Sequence, residues 1–450
     1  MDRRLLARIA VAALVVLLLA PGVVAFVTHE PTNAKAGTTT GATGQTVVAV
    51  QGFHFRGGSE KTQARLVSIR DDEVDWQYGE QTFGETWFYD VDPLENGNLL
   101  ATTARDGETF VFEYDPETGE RVWTEQFGIE DTHDADLLPN GDLVVANMRE
   151  TTDGVADDGV FVYNRTTGER TWEWRFRDHY DESTDGGYDD DWTHVNDVDY
   201  LGGDRFLLSP RNFDQAIVVN RSTDEIELRL GSDGAHETLY EQHNPDYLTS
   251  ADGTPTLLVA DSENDRIVEY ERRDEGWTRT WTVGVGGALN WPRDADRLPN
   301  GNTLVTDSLN HRVIEITPTG EIVWEYYVTW GPYDAERVGA TTDCDRTGGS
   351  ARSPTIADLN ASGAYALSGS ANDPPIPGES GPSALLSSIG LDGPASTWDH
   401  IVPWVKPTWA SGWTFLAGVA GLSLALGWGT AELWLSRELI GEEIRARLSG

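Results

Sequence analysis

The chain has 450 residues, with 75 Asp and Glu against 33 Lys and Arg, a formal net charge of −42. That excess of negative charge excludes duplex nucleic acid as a partner. A content of 39% hydrophobic residues with 17 Trp excludes a disordered chain, and the acidity fits a protein that stays soluble in strong salt, a halophilic setting.

The N-terminus (1–28) has a basic start, Arg3, Arg4 and Arg8, and then an uncharged run over 9–27. It reads as a signal peptide or a membrane anchor, with VVA before Phe26 as a cleavable site. Three strand-like runs follow, TVVAVQG, ARLVSI and EVDWQY. From there a four-strand unit repeats. Its copies lie over 87–127, 133–176, 196–230, 243–281 and 291–327, and the clearest is WPRDADRLPNGNTLVTDSLNHRVIEITPTGEIVWEYY. Asn-Gly pairs between alternating apolar residues predict type I′ hairpins. Trp123, Trp172, Trp281 and Trp324 mark the fourth strand, Leu228 replaces Trp in one copy, and the period is that of a propeller blade. The first copy lacks its opening strand, and PYDAERV (332–338) mirrors PRDADRL at the far end. The expectation is an all-β fold: a six-bladed β-propeller of four-stranded antiparallel blades over 45–338. Its C-terminal strand completes the N-terminal blade, and N- and C-terminal transmembrane helices flank it. Residues 339–405, rich in Gly, Ser, Ala, Asp and Pro, read as a flexible tether carrying the only cysteine, Cys344. Residues 409–435 read as a membrane span and 436–450 as a short tail. Arginines outside both apolar runs place both ends in the cytoplasm and the propeller on the extracytoplasmic side of the cell membrane.

Propeller ligands sit at a mouth of the central channel, which the first strands line. Alignment on the second Asp of each D-x-D gives one channel position per blade: Tyr89, His133, Asn196, His243, Arg293 and Tyr333, with His194 on the same face as Asn196. Histidines, an arginine and tyrosines converging on one cavity signal a functional site; the competing reading is a hydrogen-bonded structural ring. Arg105, Arg149 and Arg211 follow second strands, while Arg266 and Arg312 open third strands. Guanidinium forks at one end of the blades match sulfate or phosphate oxygens, the alternative being salt bridges to nearby carboxylates. The acidic loop DESTDGGYDDDW (181–192) has calcium-loop spacing at Asp181, Ser183, Asp185 and Gly186, but Trp192 stands where a bidentate acid belongs, so it reads as a solvated loop. No metal or cofactor is expected.

HDADLLPNG, QHNPDYL and ADSENDRIVEY within these repeats resemble the arylsulfate sulfotransferases. These are exported six-bladed propellers that move a sulfuryl group from a phenolic sulfate to another phenol without a nucleotide donor. The resemblance implies that His133 and His243 are catalytic and that Arg266 is the family's arginine. The family's further histidine, which carries the sulfuryl group, has no counterpart at the channel positions; His311, in a turn, and His54 remain. The expected catalytic set is His133, His194, His243, Arg266 and Arg293, with Tyr89, Arg149, Asn196, Arg211 and Tyr333 binding substrate. The expected partners are an aryl sulfate, a phenol and a membrane. The alternative function is a non-catalytic surface propeller that binds an anionic ligand or a protein.

Overall fold

Turn chemistry shapes each blade first. The computed structural model describes residues 3–28, 36–38, 44–52, 64–79, 87–105, 107–274, 276–284, 288–328, 330–338, 353–369, 381–407 and 409–448. At the three Asn-Gly turns only the glycine is left-handed: Gly97 (φ 86°), Gly141 (84°) and Gly301 (89°). The turns are therefore not type I′. Each is a type I turn closed by a left-handed glycine. The asparagine instead receives a backbone N–H two residues on, Asn98 on Asn96, Asp142 on Asn140 and Asn302 on Asn300, at 3.0, 3.1 and 2.9 Å. A short amide side chain that mimics a backbone turn is why Asn recurs there.

Four-stranded antiparallel sheets follow from these turns. Blade 1 joins Pro332–Val338 to Gln45–Val50, with Ala335 opposite Val48, and then Arg65–Arg70 and Glu73–Gly79. The expected closure is therefore present. Blade 2 runs from Trp87–Pro93 to Glu120–Phe127, and blade 3 from Ala135–Leu137 to Glu169–Arg175. Blade 4 runs from Val195–Tyr200 to Glu225–Gly231, blade 5 from His243–Thr249 to Gly276–Val283, and blade 6 from Pro292–Arg297 to Ile322–Tyr327. Apolar side chains from facing blades form six separate cores, one per blade interface. The core holding Val48, Ile69, Leu304 and Trp324 joins blade 6 to blade 1 and closes the ring. The outer-strand tryptophans owe their recurrence to the same interfaces. Trp174 donates to the Asp224 carbonyl, Trp281 to the Pro318 carbonyl and Trp324 to Asp72, each in the next blade, at 3.1, 2.8 and 3.0 Å.

The innermost strands bring their D-x-D carboxylates together. The first position of each motif gives Asp90, Asp134, Asp197, Asn244, Asp294 and Asp334, and the second-position acids Asp92, Asp136, Asp199, Asp246, Asp296 and Glu336 line the same cavity. Burial first, and mutual repulsion second, push Asp90, Asp197, Asp294 and Asp334 well above the usual carboxylate range and Asp134 up to about 7.

The tether expected over 339–405 is corrected where the chain is described. Ile356 is buried in the core of blades 5 and 6, and its N–H meets Glu269 Oε1 at 2.9 Å. Gly363–Tyr365 then adds a parallel strand beside Trp281–Val283, and Ala36–Thr38 adds one beside blade 6. Composition misled because polar Gly-rich sequence carries no periodicity even where a few apolar residues anchor it. A separate unit holds Arg3–Thr28, Pro382–Ser388, Asp392–Val405 and Gly412–Leu448. Two of these helices are long and apolar enough, over 4–28 and 412–435, to cross a membrane. Within the unit Arg8 Nε meets Glu432 Oε1 at 2.8 Å and Phe26 packs edge-on against Trp409.

Candidate active site

The inner strands do not simply present their first residues to the channel; a backbone device aims them. Asp131, His194, Glu241, Trp291 and Gly331 are left-handed, with φ of 63, 42, 44, 50 and 68°. Each stands two residues ahead of a channel side chain: His133, Asn196, His243, Arg293 and Tyr333 in turn. Strand register then slips at Tyr89, Asn196, Arg293 and Tyr333, so these residues sit in bulges. A bulge leaves its residue out of the ladder and re-aims the side chain, and non-glycine residues held at positive φ cluster where a site demands it.

The result is a closed aromatic and cationic cage. Tyr89 stacks on His133 with centroids 3.9 Å apart, and His133 lies 5.0 Å from His194 and 5.2 Å from Tyr333. His243 lies 5.8 Å from Tyr333, and the Arg293 guanidinium rests 4.5 Å above the Tyr333 ring and 4.7 Å above Trp291. His133, His194, His243, Arg293, Tyr89 and Tyr333 are all at most 5% exposed. Arg293 also bonds Gln51 Oε1 at 2.6 Å, and Asn196 donates to the Gln242 carbonyl at 3.0 Å.

The hydrogen bonds fix the tautomers of His243 and His194. Ser262 Oγ–H donates to the Pro292 carbonyl at 2.7 Å, so its oxygen accepts the Nδ1–H of His243 at 2.8 Å. The Glu241 carbonyl, 3.2 Å from Nδ1, can only accept. The proton therefore sits on Nδ1 and the lone pair on Nε2. In His194, Nδ1 meets Asp191 Oδ1 at 2.8 Å, again leaving the lone pair on Nε2. The Tyr333 hydroxyl and His133 Nδ1 share a hydrogen bond of 2.7 Å, while His133 Nε2 lies 3.9 Å from Asp131. Burial holds all three histidines below their usual range, His194 and His243 well below, and nearby Arg211 and Arg293 add to it. They are neutral bases at neutral pH. Asp131 is held below the usual range, against its burial, by His133 and Arg149. It also accepts from the Tyr89 hydroxyl.

Arg149 and Arg211 stand at the rim, the former bridging Asp131 and Asp191 and the latter 3.6 Å from Glu241. Of the residues expected in the site, the structure brings together Tyr89, His133, His194, Asn196, His243, Arg293, Tyr333, Arg149 and Arg211. Arg266, expected in the catalytic set, is engaged within its own turn. Its Nε meets the fully buried Asp261 at 2.6 Å and its Nη2 the Glu237 carbonyl at 2.9 Å. Arg312 repeats this on Asp307 at 2.7 Å, so the D-S-x-N-x-R turn is a structural staple. Its serine, Ser262, is what reaches His243. His311 holds the turn position that Asp214 and Asp265 hold elsewhere, at φ near 55°, and packs on Trp330 outside the cage. His54 lies outside the described residues. In the acidic loop, Ser183 caps Asp181 at 2.6 Å and Trp192 is buried in the core.

Sequence reasoning missed Asp131, Asp191, Ser262, Gln51 and Trp291. Asp131 and Trp291 carried a signal, since both stand two residues before a channel position. Asp191 was hidden among the loop acids.

A closed six-bladed propeller whose inner strands converge three neutral histidines and a buried arginine defines a class: a propeller with a polar, aromatic-walled candidate site at its channel. The arylsulfotransferase (ASST) family model matches residues 73–281, from the outer strand of blade 1 to the outer strand of blade 5. The family resemblance carried by the repeats is thus borne out over those residues. No curated protein matches the chain. Among solved structures, a Bacteroides caccae protein of unknown function is 15% identical, with 65% of this chain and 98% of that one covered and a TM-score of 0.44. A catalytically inactive virginiamycin B lyase from Staphylococcus aureus with quinupristin is 12% identical, over 66% and 89%, with a TM-score of 0.39.

Proposed function

We propose that the protein is an aryl sulfotransferase, anchored by its apolar helices with the propeller on the extracytoplasmic side. The observation that carries this is His243: a buried, neutral imidazole locked with its lone pair on Nε2, beside Arg293 and Tyr333. His243 Nε2 attacks the sulfur of an aryl sulfate; the N–S bond forms, the aryl S–O bond breaks, and the phenolate leaves beside Arg293. A phenol then attacks the same sulfur while its proton passes to His194 Nε2, whose imidazolium Asp191 stabilises. The N–S bond breaks, and the proton on His194 neutralises the first phenolate. Tyr89, Tyr333 and Trp291 offer ring faces to both aryl groups.

The test is turnover of a chromogenic aryl sulfate with a phenol by the purified full chain in detergent and molar KCl. Transfer that disappears in His243→Gln supports the reading. Wild-type protein that binds the aryl sulfate but never turns it over would make the chain a binding propeller instead.

A further inference from the structure

Further along the inner strands, past the cage, lies a cavity of about 60 Å³ that sulfuryl transfer does not use. Eleven carboxylates line it. For several of them one oxygen has a structural task, tying each blade to the next. Asp334 Oδ2 takes the N–H of Val91 at 3.0 Å, Asp134 Oδ2 that of Val198 at 2.6 Å, and Asp294 Oδ2 that of Ala335 at 3.3 Å. The staple accounts for one oxygen of an aspartate in each of these blades and leaves the inward one.

Asp197 does not follow the staple. It is only 6% exposed, its Oδ2 is buried and meets no donor, and it faces the cavity. Asn244 Oδ1, a neutral oxygen on the same wall, is likewise buried without a donor. A buried oxygen left without a partner is costly unless something positive meets it. Beside them, Asp90, Asp92 and Asp134 place one oxygen each within 4.8 Å of one another.

We propose that this channel is a divalent-cation site of calcium size, built on Asp90, Asp92 and Asp134 and completed by Asp197 and Asn244. The donors are all oxygens, with neither thiolate nor imidazole, which selects a hard cation over zinc or copper. Size selects further. Two oxygens bound to one calcium at about 2.3–2.6 Å lie at most about 5 Å apart, whereas about 2.0–2.1 Å for magnesium allows only about 4 Å. Oxygens that all lie within 4.8 Å of one another can reach one calcium together without rearrangement. The volume is enough for one ion and a water, since about 10–15 Å³ of water-accessible space holds one water. The ion would clamp the inner strands of blades 2 to 5 at the axis, where the staples alone leave like charges facing one another.

The competing account is that carboxyl pairs share protons and no ion enters. The test uses the full chain in detergent and molar KCl, which suppresses diffuse cation binding to the acidic surface. Calcium content is measured after EGTA stripping and after readdition, with thermal melts alongside. One calcium per chain, a Tm that falls on stripping and returns with calcium but not with equal magnesium, and at least a tenfold loss of affinity in Asp197→Asn are expected. Asp181→Asn, in the surface loop, should leave binding unchanged. A Tm indifferent to EGTA and calcium in the wild type overturns the proposal, and that arm needs no variant to fold. So does calcium lost in Asp181→Asn but kept in Asp197→Asn.

Discussion

At the residue scale the site depends on which nitrogen of each histidine carries a proton. His243 is set by Ser262, whose own hydroxyl is committed to the Pro292 carbonyl. Ser262→Ala removes that acceptor and lets the ring turn, so kcat is expected to fall about tenfold to a hundredfold with KM little changed, as when a nucleophile is no longer held in its attacking orientation. His243→Gln should abolish transfer while an aryl sulfate still binds, as read by titration calorimetry. The pH profile carries a definite sign. His194 and His243 lie well below the usual value of about 6.5 because burial and Arg211 and Arg293 oppose the imidazolium. The acid limb of kcat/KM should therefore fall below pH 6.5. The histidines' own contribution to stability runs the same way, because as pH drops through 6.5 the unfolded rings take up protons that the folded cage refuses, while the inner carboxylates, protonated more readily when folded, contribute with the opposite sign. A kinetic acid limb at or above 6.5 would count against the cage as drawn.

At the element scale, turns and edges explain what single residues cannot. Arg266 belongs to a third-strand turn and pairs with Asp261, which is fully buried. Arg266→Ala leaves that buried carboxylate without its charged partner, held only by the Tyr240 N–H and the Asn264 amide, and should cost about 3 kcal/mol of stability. The measurement is a chemical melt, and a variant that loses only sulfate affinity would restore Arg266 to the site. The 353–369 segment makes a second case. Ile356 fills the core between blades 5 and 6, so Ile356→Ala should destabilise the propeller by about 2–4 kcal/mol. A flexible tether would give no measurable change.

At the scale of the whole molecule, charge dominates. A net −42 makes the folded chain repel itself in dilute salt. Screening shortens the Debye length to about 3 Å at 1 M, so Tm should climb steadily from 0.2 to 3 M KCl. A flat melt over that range would remove the case for a high-salt protein. The ring has no free closing edge, because Pro332–Val338 pairs with Gln45–Val50 and an interface core joins blade 6 to blade 1. Tyr333 is carried by that closing strand, so closure and completion of the cage are one event.

Much of this was legible in the residues themselves. Local chemistry repeats: Asn-Gly turns, alternating apolar strands and D-x-D inner strands recur at a fixed period, and a period is visible without knowing the fold. The blade count, the closing strand and the channel-facing set from Tyr89 to Tyr333 follow from it. The rest depends on which blade faces which. The left-handed residues at Asp131, Glu241 and Trp291 look like ordinary loop residues in one dimension, and their role exists only once the bulges point side chains inward. Arg266 reads as a free cation because nothing in the sequence says that Asp261 is buried beneath it. The same holds for the inner aspartates: as D-x-D they are a repeat marker, and only ring closure sets eleven carboxylates around one axis. Pairing along the chain is local and leaves a pattern, whereas pairing across the ring spans up to hundreds of residues and is decided by packing.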